Sequence, residues 1–238
     1  MDSQTRHALK QDKFVQTTQS GVSWVGENRA AVIRYSVVAV VVLALVIAGA
    51  VYYNQRSEAA ESALGSALDA YSSQLAQPGQ PATKGVYATA ADRAKAANQQ
   101  FVAVANQYGW LSEGAKAHYF AGITYEELGQ NGPAETEFKA AASSWDGNLS
   151  SLAKFALAGF YHQTGRDAQA IDLYNGLIAK PTTAVPAYTS QLALADLYSA
   201  AGKTDQAKQI WAKVKDADKA GGAGSAGAIA AEKLTAKK

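Results

Sequence analysis

The chain has 238 residues and no cysteine. Disulfide staples, thiolate metal sites and cysteine nucleophiles are therefore excluded. Histidine is nearly as scarce. His7, His118 and His162 stand far apart, with no HExxH or other paired spacing, so no histidine-built metal site is expected. No phosphate-cradling loop occurs either. Gly221-Gly222-Ala223-Gly224 lacks a preceding strand and a following Lys-Ser/Thr, and reads as a linker. No serine sits in a nucleophile elbow. Without a catalytic constellation, no enzyme and no cofactor are expected.

A large charge of one sign is also missing. The formal net charge is +2. Residues 1–34 carry five basic side chains (Arg6, Lys10, Lys13, Arg29, Arg34) against three acidic ones (Asp2, Asp12, Glu27). Residues 54–238 carry seventeen of each sign. The pI near 8.6 comes from the N-terminal segment. A neutral domain with interspersed signs leaves no electrostatic footprint for nucleic acid.

What is present is a charge-free run from Tyr35 to Gln55, YSVVAVVVLALVIAGAVYYNQ. As a helix it extends about 32 Å, close to the ~30 Å hydrocarbon core of a bilayer. A helix apolar on every face has no use in a soluble domain of this size. A strand of this length is excluded. Tyr35, Tyr52 and Tyr53 stand at the two ends, where amphipathic aromatics favour the interface. Arg29 and Arg34 precede the run closely, whereas Arg56 follows it in the company of Glu58, Glu61 and Asp69. The positive-inside rule then puts the N-terminus in the cytoplasm and the C-terminal part outside. Ala48-Gly49-Ala50 resembles a signal-peptidase site, which is the competing reading. Against it, a 34-residue leader precedes the apolar run, and the run itself exceeds the usual core of about 7–15 residues. Both readings export residues 54–238. Before the run, Phe14, Thr18, Val22 and Val25 recur at helical spacing with Trp24 beside them. This segment reads as an amphipathic helix on the inner membrane face or as a flexible tail.

The exported part is expected to be all-α. Ala60, Leu64, Leu68, Tyr71 and Leu75 make an apolar stripe that continues the span as a helix over residues 54–77. Pro78-Gly79-Gln80-Pro81 ends it. A second helix is expected from about Tyr87 to Tyr108.

Three segments then share one template: Gly122, Tyr125, Gly129, Ala134 and Phe138; Ala158, Tyr161, Gly165, Ala170 and Tyr174; Ala195, Tyr198, Gly202, Ala207 and Trp211. The steps within each are three, four, five and four residues, and the offsets are 36 and 37. The small residue lets two helices of a hairpin approach, and the tyrosine fills the core beside it. The glycine takes the left-handed conformation that stops a helix. The alanine is the small partner on the second helix, and the last aromatic packs toward the next hairpin. Gly165-Arg166-Asp167 and Gly202-Lys203-Thr204-Asp205 supply N-cap candidates. Ala97 and Phe101, 37 residues before Ala134 and Phe138, mark a weaker fourth unit whose first helix is the extension of the span. About three repeats are what such a stack needs to stand alone.

The expected organisation is a cytoplasmic segment at 1–34, a transmembrane helix at 35–55, and a helical extension and loop at 56–86. Repeats follow at 87–218, with clear units at 115–150, 151–187 and 188–219. A Gly/Ala/Lys-rich tail occupies 219–238, with a short last helix around Ile229, Glu232, Lys233 and Leu234.

These landmarks resemble the tetratricopeptide repeat, at a slightly longer period than its commonest form. The whole layout resembles the ancillary SecYEG translocon subunit and related tetratricopeptide-like envelope proteins. That family also has a short cytoplasmic segment, one span and a repeat domain outside. The stretch from Phe14 to Ile33, with Trp24 and Glu27-Asn28-Arg29 directly before the span, is similar to the way such chains enter the membrane. The resemblance implies a bacterial inner-membrane protein with a periplasmic repeat domain. It also implies a role as a translocon-associated chaperone subunit, with SecYEG and periplasmic chaperones as partners. The alternative is an adaptor coordinating cell-wall synthesis or division through the same repeats.

Repeat geometry puts the partner-binding surface on the concave side, lined by first-helix positions that carry no landmark. Those are Lys116, Tyr119, Ile123 and Glu126, then Phe155, His162 and Asp196. The carboxylate pairs Glu126/Glu127 and Glu135/Glu137 read as solvated helix faces. Phe138, Tyr174 and Trp211 read as core.

Overall fold

A computed structural model of the chain describes residues 28–76, 85–219 and 225–235. Among the described residues the fold is all-α, with nine helices and no strand beyond an isolated Leu75–Tyr87 bridge. The helices are α1 (Arg29–Ser72), α2 (Ala90–Tyr108), α3 (Ser112–Glu127), α4 (Asn131–Ala142), α5 (Gly147–Gln163), α6 (Asp167–Ala179), α7 (Ala187–Ala200), α8 (Thr204–Lys219) and α9 (Ser225–Thr235). The chain divides into two compact units, Met1–Arg56 and Ser57–Lys238.

In the first unit the described residues form the opening part of α1. This is the one helix, among the described residues, long and apolar enough to cross a membrane. Its Val, Leu and Ile side chains point outward; Val40 is 66 % and Leu45 67 % exposed. The amphipathic helix expected before the span falls on residues 1–27, outside the described residues, as does the Pro78–Pro81 stop.

The extension of α1 ends five residues short of the expected 77. Ser72 and Ser73 turn their hydroxyls back onto the Asp69 carbonyl, at 3.3 and 2.8 Å. Such serine bonds compete with the helical ladder. The chain then extends, and Ala76 N–H donates to the Tyr87 carbonyl at 2.8 Å. Leu75, expected on the apolar stripe, is consequently exposed. The same pairing takes Tyr87 out of the next helix. Thr89 starts α2 instead, its hydroxyl accepting from Asp92 N–H at 3.0 Å.

In the second unit each helix from α2 to α9 packs on the next. Connections of only three residues follow α2, α3, α5 and α7, so each packed partner runs back along its neighbour. Ala60, Leu64 and Ala67 of α1 share a core with Phe101 of α2 and Ala117 of α3. Buried Asn98 of α2 donates to Thr124 Oγ1 of α3 at 2.9 Å. A second core joins α4 to α7 and a third joins α7, α8 and α9. The expected tail is thus partly built in: Ala226 and Ala230 of α9 are buried against Ala195, Ala207 and Trp211.

Three helices end in the same way. Gly129, Gly165 and Gly202 have φ of 69, 75 and 75°. The next residue's N–H donates five residues back: Gln130 to Tyr125, Arg166 to Tyr161, and Lys203 to Tyr198, at 2.8, 2.7 and 2.8 Å. This is the Schellman stop, and its positive φ is why glycine stands there. Ala134, Phe138, Ala158, Ala170, Ala195 and Ala207 are fully enclosed, and Tyr174 and Trp211 nearly so. Of the three tyrosines expected beside the core, only Tyr161 is buried; Tyr125 and Tyr198 are half-buried at its edge. The N-cap expected near Asp167 is absent: Arg166 holds that position without a side-chain cap, and Asp167 is already helical.

Candidate functional site

Lys116, Tyr119, Ile123 and Glu126 follow one another at steps of three, four and three along α3, which places them on one helix face. Tyr119 and Ile123 are half-buried and pack against the second core. The Tyr119 ring meets Phe120 edge-on at 5.3 Å and Phe138 at 6.4 Å. Burial raises the pKa of its phenol, so the hydroxyl stays a neutral donor. Phe155 of α5 joins the same core, its ring edge-on to Tyr174 at 5.6 Å. Tyr119, Ile123 and Phe155 are therefore all partly covered residues at the edge of the second core, Tyr119 beside Phe138 and Phe155 beside Tyr174.

Glu126 faces the Gln163 side chain of α5, which favours its charged form. Burial, with the Glu127 charge adding to it, pushes the Glu126 carboxyl above its ordinary value, and Gln163 opposes the rise. The other three candidates are each occupied elsewhere. Lys116 lies 3.6 Å from Glu113 on its own helix. His162 Nδ1 donates to Asp167 Oδ1 at 2.7 Å, linking the end of α5 to the start of α6. Asp196 accepts from Lys233 Nζ of α9 at 3.0 Å.

The carboxylates expected to be solvated are engaged between elements. Glu135 accepts from Tyr161, Arg166 and Lys139 at 3.0, 2.6 and 2.7 Å. Glu137 accepts from His118 Nδ1 at 2.6 Å, joining α4 to α3. Glu127 accepts from the Tyr71 hydroxyl, joining α3 to α1. Tyr71 is held neutral, its pKa pushed up to about 12 by burial and by this carboxylate.

Two open cavities lie elsewhere among the helices, the first reaching Leu173 and Leu177 of the second core. One, of about 500 Å³, opens between α5 and α6 beside Ser150, Lys154, Asp172 and Lys180. The other, of about 510 Å³, lies among Asp196, Thr204, Lys208, Trp211 and Lys233. Sequence reasoning found Asp196 but not its neighbours, because α8 and α9 bring them together with no shared spacing. Among the described residues no group of three or more His, Asp or Glu is placed to hold a metal ion. No family model, no curated protein and no solved structure matches the chain.

Proposed function

We propose that this protein is a membrane-anchored, non-enzymatic scaffold. The three glycine stops, with their enclosed alanines at offsets of 36 and 37 residues, support a tetratricopeptide-like stack of helical hairpins. The charge-free run of α1 anchors it in a bacterial inner membrane, with the N-terminus inside and the repeats in the periplasm.

The observation that carries the binding role is that Tyr119, Ile123 and Phe155 are each only half-covered at the edge of the second core. Aromatic and aliphatic side chains that are already ordered but still reachable are what an extended or unfolded polypeptide uses as anchor points. A translocon-associated chaperone subunit is the role that suits such a surface on an exported, tethered domain.

A photo-crosslinking amino acid at Ile123 or Phe155, in native membranes, tests it. Exported polypeptides, translocase subunits or periplasmic chaperones should be captured from both positions and not from Asp172, on the other helix of the α5–α6 pair. Equal capture from all three positions sinks the binding surface. Capture of cell-wall enzymes instead moves the role to the adaptor alternative.

A further inference from the structure

The second unit has two ends, and its two exposed tryptophans lie at the same one. The hydrogen bond from Tyr71 to Glu127 places the close of α1 beside the close of α3. Ser57–Ala60 therefore lies at the opposite end, and Ala60 shares its core with Tyr108 and Leu111 where α2 gives way to α3. Because successive helices run back along each other, the connections 109–111 and 143–146 fall at this end. The glycine turns at 129 and 165 fall at the other.

Each of these two connections carries a tryptophan. Trp145 is 82 % exposed and Trp110 54 % exposed, whereas Trp211 is buried at 5 %. Tryptophan is highly buried on average, so a nearly bare indole calls for an explanation. The Trp145 position is fixed from behind: Asp146 caps α5, accepting from Asn148 and Leu149 N–H at 2.8 and 3.3 Å. Exposed Lys180 stands at the same end, after α6. The uncharged run Tyr35–Gln55 is joined to the second unit at this end as well, through Arg56 and Ser57.

We propose that this end of the second unit rests on the bilayer surface, with the Trp145 and Trp110 indoles at the level of the lipid headgroups. Indoles are enriched there because one molecule offers an apolar ring and a polar N–H. Lys180 adds attraction to anionic lipid. The inference rests on reading Tyr35–Gln55 as a membrane span.

The absence of cysteine makes the test direct. Full-length chains with Ser144→Cys, or with Gln130→Cys in the opposite turn, carry one fluorophore each. They are reconstituted into phosphatidylethanolamine/phosphatidylglycerol vesicles holding a headgroup-nitroxide lipid. Quenching is expected at position 144 and not at 130. Adding Trp145→Ser, a change at an exposed site that leaves the core untouched, should reduce quenching at 144, and Trp110→Ser should reduce it further. Quenching at 144 that survives both substitutions would mean that the tether alone brings the loop close, and would overturn the inference. So would equal, weak quenching at 144 and 130 in chains that resist carbonate extraction. Release of the chain by carbonate instead overturns the span, and this inference with it.

Discussion

Arg166 reaches back 31 residues to place Nη1 2.6 Å from Glu135 Oε2. Its guanidinium also lies 4.3 Å from the centre of the Tyr161 ring, and the Tyr161 hydroxyl donates to the other oxygen of Glu135. One carboxylate of α4 thus fixes the end of α5 and the turn that follows. The Schellman stop at Gly165 is held from two sides, by its backbone bonds and by this cluster.

Glu135 should therefore govern acid stability. Hydrogen bonds from Lys139 and Arg166 hold its carboxyl well down, from an ordinary 4.5 to about 2. A depressed carboxylate favours the folded state in its charged form. Its contribution is complete above about pH 4.5 and disappears as the pH falls toward 2. Glu135→Gln should cost about 1–2 kcal/mol at pH 7 in urea unfolding. The difference from the parent chain should shrink steadily between those two pH values. A constant difference across that range would show that the ionised carboxylate is not what matters.

The glycine stops make a sharper pair of expectations. Gly165 has φ of 75° with open space where a Cβ would go, so the backbone alone resists substitution. Gly165→Ala should cost about 1–2 kcal/mol. Gly176 also faces open space, but within α6. There Gly→Ala should stabilise by about 0.5–1 kcal/mol through helix propensity. Thermal unfolding of the two variants decides it; a shift of the same sign in both contradicts the assigned turn geometry.

These contrasts show what the sequence makes legible. A glycine stop, a missing charge and a small residue at fixed spacing are local signals, and the run from Tyr35 to Gln55 and the turns at 129, 165 and 202 could be read from them. Ties between distant residues leave no such mark. Glu135 looks like any surface glutamate until α5 brings Tyr161 and Arg166 to it. Asp196 looked like an open groove position because nothing in its own helix announces Lys233, 37 residues on. The early end of α1 is hidden for a related reason: the apolar stripe runs through Leu75, and only the serine bonds to Asp69 and the pairing with Tyr87 overrule it.

Gly122 differs from its counterparts Ala158 and Ala195, and the reason is contact rather than backbone. A Cβ there would lie 2.6 Å from Phe138 Cδ1, and that ring is fully enclosed. Gly122→Ala should destabilise by about 1–3 kcal/mol through overpacking. Phe138→Leu removes the offending ring edge. Combined with Gly122→Ala, it should cost less than the sum of the two single changes. Strict additivity in a double-mutant cycle would refute the proposed contact.

The last helix offers a test of which interaction holds a terminus in place. Asp196 and Lys233 form an ion pair with side chains 49 % and 45 % exposed. Solvent screening limits such a pair to about 0–1 kcal/mol. Ala226, Ala230 and Leu234, by contrast, cover Ala195, Ala207 and Trp211. Lys233→Ala should therefore leave the melting temperature almost unchanged. Ending the chain after Lys219 should lower it clearly, by the equivalent of about 2 kcal/mol or more of lost apolar burial. Trp211 should then become open to acrylamide, which is read most cleanly with the other three tryptophans, Trp24, Trp110 and Trp145, replaced by Phe. If Lys233→Ala were as harmful as the truncation, the ion pair and not the apolar contact would be what docks α9.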